Sequence, residues 1–140
     1  MKGIRINFVP ELQQAGQLDD YFDRGDHVEF ALTDLGSVNY NMALTIHAVS
    51  EYFEMIQDGV TAQDTVDFDM GHLDHDDPGM LPDAPYHKHH CHADVLERAY
   101  IAMCGEDWAE YCKRCDEVTE QLEKPDDIDE SVILEGMTTD

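Results

Sequence analysis

Two short segments near the start of the chain alternate apolar and polar side chains. Gly3 to Val9 reads GIRINFV and stops at Pro10; His27 to Gly36 reads HVEFALTDLG and stops at a glycine. A period of two predicts two strands, each with one buried face. From Val38 to Ile56 the period changes: Met42, Leu44, Ile46, Val49, Phe53 and Ile56 recur at mostly helical spacing, and Asp58-Gly59 supplies a stop. Thr61 could then cap a short turn or helix over TAQDTVDFDM. Residues 71–86, GHLDHDDPGMLPDAPY, are rich in Gly, Pro and Asp and read as a long loop. Loops of that length need something to order them, and a bound cation is one such agent. A second helix is expected from Lys88 or His89 to Met103. After the break at Gly105 a third follows, with Trp108, Tyr111, Cys112, Cys115, Val118 and Leu122 along one apolar face. The sum is an α+β fold, short N-terminal strands followed by three helices with a long acidic, His-rich loop. Residues 1–123 form the expected compact domain, and 124–140 an acidic, solvated tail.

Length and charge narrow the picture. A chain of 140 residues suits one domain with a modest core. With 8 Lys and Arg against 32 Asp and Glu, the formal charge is −24, which repels nucleic acid phosphates and anionic membrane surfaces. Three origins fit that acidity: adaptation to high salt, mimicry of nucleic acid towards a basic protein groove, or plain solubility. No run approaches a membrane span, and MKGIRINFVPELQ lacks the apolar core of a signal peptide, so a cytoplasmic protein is expected. Cysteines in that compartment point to reduced thiols or metal ligands.

Candidate chemistry gathers on the first two helices. His47, Glu51 and Glu54 stand at i, i+4 and i+7, and His90, Asp94 and Glu97 repeat those offsets. Each trio falls on one helix face, and two such faces meeting would bring imidazoles and carboxylates together as metal ligands. The competing view is a satisfied core histidine beside glutamates on a solvated face. Asp67 and Asp69 in VDFD offer further carboxylates, without the glycine and glutamate spacing of a calcium-binding EF-hand. Such a donor set suits zinc foremost, with manganese, iron or magnesium as alternatives. Cys112-x2-Cys115 lacks a second cysteine pair and reads as structural thiols; Cys91 among histidines has no glycine-framed nucleophile turn.

The order of motifs HAVSE (47–51), VDFD (66–69), PGMLPDAPYHKHH (78–90), ADVLER (93–98) and CGEDWAEY (104–111) resembles a group of small uncharacterised bacterial and phage proteins. Their pattern reads H-E-L-x-E, V-D-x-F-D, P-G-x-x-P-x-A-P-Y-x-x-E-H, A-x-x-x-E-R and L-G-x-D-W-x-x-Y. The resemblance covers about residues 38–112 and implies that His47, Glu51, Asp69, His90 and Glu97 form one metal site. Its H-E-x-x-E helix is similar to a minimal zincin, whose acid beside the first ligand is the general base. Ala48 stands there in this chain, so Glu54 or Asp94 is the substitute catalytic candidate.

Two functions from different classes follow. One is a small metal-dependent hydrolase acting on a small molecule or peptide. The other is an acidic interaction protein of phage type that covers a basic protein's nucleic-acid groove, with a structural metal or none.

Overall fold

The computed structural model describes residues 3–10, 18–75 and 77–122. The expected tail from Lys124 to Asp140 lies outside these residues. Three strands, β1 (Gly3–Val9), β2 (Asp19–Asp23) and β3 (His27–Thr33), are followed by four helices, α1 (Val38–Gln57), α2 (Ala62–Met70), α3 (His87–Met103) and α4 (Trp108–Leu122). The fold is α+β, as the pattern predicts. The addition is β2, and α2 is a helix where a short turn or helix after Thr61 is expected.

The sheet order is β1-β3-β2, with β1 parallel and β2 antiparallel to β3. Val28, Phe30 and Leu32 alternate along β3 into the core. Their partners on β1 are Ile4, Ile6 and Phe8, which share that face but stay substantially exposed at the sheet edge. Ile4 and Ile6 border a shallow groove whose other wall is Ile46, Val49, Ser50 and Phe53 of α1.

Local chemistry sets the helix starts. Gly36 takes a φ of +83°, a left-handed turn that suits glycine, and Ser37 caps α1 by accepting from the Tyr40 amide. Thr61 and Asp64 form a reciprocal capping box on α2. Helix α1 packs mainly on α3 and β3. Fully buried Ala43 and Ala93 supply the small side chains that allow helices to approach closely. Ile101, Tyr111 and Val118 close the core from α3 and α4. Arg114 of α4 donates to the Leu35 carbonyl at 3.0 Å, tying the last helix to the end of the sheet.

Residues 77–86 are ordered by protein contacts. A 3-10 turn, Pro78–Met80, presents the Gly79 carbonyl 2.8 Å from His87 Nδ1. Buried Tyr86 donates its hydroxyl to Asp69 on α2. Among the described residues no helix is long and apolar enough to cross a membrane.

Candidate metal centre

Both expected trios lie where α1 and α3 meet. His47 and His90 come edge to face with ring centroids 4.9 Å apart. Around His47, Nδ1 lies 2.8 Å from Glu97 Oε1 and 3.2 Å from Asp94 Oδ1, while Nε2 lies 3.2 Å from Glu51 Oε2. Around His90, Nδ1 is 2.7 Å from that same Glu51 oxygen. Its Nε2 faces Asp77 Oδ2 at 3.2 Å and Asp94 Oδ2 at 3.8 Å. One donor atom each from His47, His90 and Asp94 falls within 4.8 Å of the others, a spacing able to hold a metal ion. His47 is a satisfied histidine, as the competing view has it, but its partners Glu51 and Glu97 are largely buried rather than on a solvated face.

Each carboxylate is held for a physical reason. Glu97 is buried, 7% exposed, and its second oxygen accepts the hydroxyl of buried Tyr111. Tyr111 packs edge-on against Tyr40 at 5.2 Å and in a tilted arrangement against Trp108 at 5.4 Å, so its ring is fixed by the core. Burial pushes the Tyr111 hydroxyl far above its ordinary value, with the Glu97 charge adding to the shift. For Glu51, burial opposes ionisation, but hydrogen bonds from His47 and His90 prevail and bring it down to about 2. Burial alone would lower His90; its bonds to Asp77 and Glu51 raise it to about 10. His47 is raised further still, against burial, by Asp94, Glu51 and Glu97. Without a metal, the imidazoles are therefore cations that neutralise the surrounding acids.

The other expected residues stand apart from this contact set. Asp69 accepts from Tyr86, whose ring lies 6.5 Å from the His90 ring, and burial raises its carboxyl. Glu54 occupies the next turn of α1, where its Oε1 is 2.6 Å from His92 Nδ1 and 3.2 Å from His89 Nδ1. Ala48 is buried in the core between sheet and helices. The position that carries the base in the H-E-x-x-E pattern thus faces the core here. Cys112 and Cys115 are half-buried free thiols against the core; burial raises both, Cys115 to about 12.

Two contributors escape the sequence pattern. Asp77 lies in the loop and meets His90 only through the turn at Pro78–Met80; the crowd of acids in VDFDMGHLDHDD does not distinguish it from its neighbours. Asp19 opens β2, a strand whose DDYFD sequence has no alternating apolar signal. Its carboxyl is raised to about 6, first by burial and then by the charge of Glu51.

No family model, curated protein or solved structure matches this chain.

Proposed function

We propose that the chain is a metal-dependent hydrolase whose divalent cation, zinc foremost, is held between α1 and α3. The observation that carries this reading is the convergence of His47, His90 and Asp94 from two helices. Imidazole and carboxylate donors suit zinc or manganese, and such a cation supplies a polarised substrate oxygen and an activated water. The protein's own groups do the rest. Glu51 orients both imidazoles through their second nitrogens, and Tyr111 fixes Glu97. Asp94, with 39% of its side chain open, and Asp77, with 52%, are the carboxylates of the cluster that a substrate could reach from solvent. Asp19, whose carboxyl is raised by burial and then by the charge of Glu51, is a further acid of this neighbourhood and a candidate proton acceptor.

The test is turnover of chromogenic phosphomonoester, phosphodiester and carboxyl ester probes by tag-free protein. Hydrolysis of one class, abolished by chelation, restored by zinc or manganese and absent from His90→Ala, is expected. Metal-loaded protein inert towards all three classes contradicts the hydrolase while leaving the metal centre intact.

The charge of −24 favours a second reading, an acidic protein that occupies a basic groove. Such binding to a basic protein falls steeply with salt and survives His47→Ala. Salt-insensitive behaviour, or no binding to basic proteins at low salt, contradicts it.

A further inference from the structure

We propose that β1 pairs antiparallel with β1 of a second copy of this chain, joining two three-stranded sheets into one across a two-fold axis at Ile6. This interface is independent of the metal centre, whose residues His47 and Glu51 occupy a different face of α1 from Ile46, Val49 and Phe53.

With the order β1-β3-β2, strands β1 and β2 are the sheet edges among the described residues. An edge strand presents a row of unpaired amides and carbonyls, and proteins blunt such edges with short strands and charge. Strand β2 is blunted in this way: it has five residues, DDYFD, of which three are Asp. Strand β1 is not, for its seven residues, GIRINFV, contain no acid and no proline. Ile4, Ile6 and Phe8 are between 40% and 51% exposed, although their partners Val28, Phe30 and Leu32 on the same face of β3 are fully buried. The apolar layer of the sheet therefore runs past β3 and ends uncovered on β1.

The groove between β1 and α1 has a volume of about 410 Å³. Its two hydroxyls are already engaged: Thr45 donates to the Asn41 carbonyl at 2.7 Å and Ser50 to the Ile46 carbonyl at 2.5 Å. The lining leaves no free donor to orient a polar ligand and suits aliphatic and aromatic side chains.

Charge selects the occupant. The chain carries 32 Asp and Glu, yet none falls in residues 1–10 or 35–50, which supply β1 and the N-terminal part of α1. A basic partner is drawn to the acidic remainder of the surface, whereas a second chain of charge −24 meets least repulsion here. The strand is also self-complementary about Ile6. Antiparallel pairing sets Ile6 opposite Ile6 of the second copy, Ile4 opposite its Phe8 and Arg5 opposite its Asn7. Apolar side chains then meet on the inner face, and no like charges face each other on the outer one, as an isologous contact requires.

The experiment is sedimentation equilibrium of the full chain, without a tag and at physiological salt. Concentration spans a hundredfold range reaching about 1 mM, because a contact of this size belongs to the weak class. The mass is expected to rise from one chain to two and stop there, since a two-fold contact closes. Asn7 is exposed and lies off the inner face, so its substitution spares the core. Asn7→Arg sets a second cation opposite Arg5 twice per dimer and is expected to weaken association by about fivefold, while Asn7→Glu strengthens it by about as much. Net charge alone predicts the opposite order, because Arg relieves the repulsion between copies and Glu adds to it. Hydrogen exchange of the wild type should show the β1 amides that point away from β3 gaining protection as concentration rises. A wild type that stays monomeric, equal association of both variants, or the order set by net charge overturns the pairing. A monomer whose outward β1 amides are already protected overturns it too, and shows that another segment of the same chain covers this edge.

Discussion

His90 shows how one side chain ties metal binding to protonation. Held near 10 by Asp77 and Glu51 against the effect of burial, it is a cation at neutral pH in the metal-free protein. Its folded value exceeds the ordinary 6.5, so its contribution to stability is complete below about 6.5 and is lost as pH rises through 10. Glu51, depressed from 4.5 to about 2, contributes the same contact from the other side, present above 4.5 and lost as pH falls through 2. Metal-free protein is therefore expected to lose thermal stability between pH 6.5 and 10, with His90→Ala flattening the slope; an unchanged slope in the variant contradicts the assignment. A metal ion must displace that proton, so zinc affinity is expected to rise with pH over the same window, as calorimetry in buffers of different ionisation enthalpy would show. His47→Ala and His90→Ala should each lower affinity by about an order of magnitude or more, and the double variant should cost little beyond the worse single one. Simple additivity would mean the two do not serve one centre. His87→Ala serves as the control: its Nδ1 is 2.8 Å from the Gly79 carbonyl rather than in the cluster.

At the scale of the element, the 3-10 turn at Pro78–Met80 is the support on which His90 rests. A Cβ built on Gly79 would meet His90 Cγ at 2.8 Å and Tyr86 Cε2 at 2.9 Å, closer than such atoms approach. Gly79→Ala is expected to displace the His90 ring and weaken metal binding by about tenfold while leaving the helical content unchanged. Retained affinity in that variant would show that the turn does not position the imidazole. The long elements were legible because burial imposes a period: α1, α3, α4, β1 and β3 follow from where Val28, Phe30, Leu44 and Ile101 must go. Strand β2 was not, because DDYFD is acidic and, among the described residues, pairs with β3, whose register fixes it from outside. The His47 and His90 pairing was legible as two matched helical trios. The separation of Glu54 from them was not, because residues 51 and 54 share a face by sequence, and the packing of α3 decides that Glu54 meets His89 and His92 instead. Asp77 depends on a turn that no periodicity encodes.

For the molecule as a whole, a charge of −24 on 140 residues opposes compaction, and four of its acids meet at one helix interface. Salt screens that repulsion, so the thermal midpoint of the metal-free protein should rise between low and physiological ionic strength. A midpoint that falls with salt would mean that attractive surface pairs dominate. Bound metal relieves the same repulsion locally, which couples metal affinity to stability. The central claim is that α1 and α3 meet around a divalent cation, and elemental analysis of tag-free protein dialysed after exposure to zinc tests it most directly. The account predicts at least about one retained equivalent in the wild type and loss of most of it in the His47→Ala, His90→Ala double variant. Less than roughly a tenth of an equivalent in the wild type, or equal retention by the folded double variant, would contradict it.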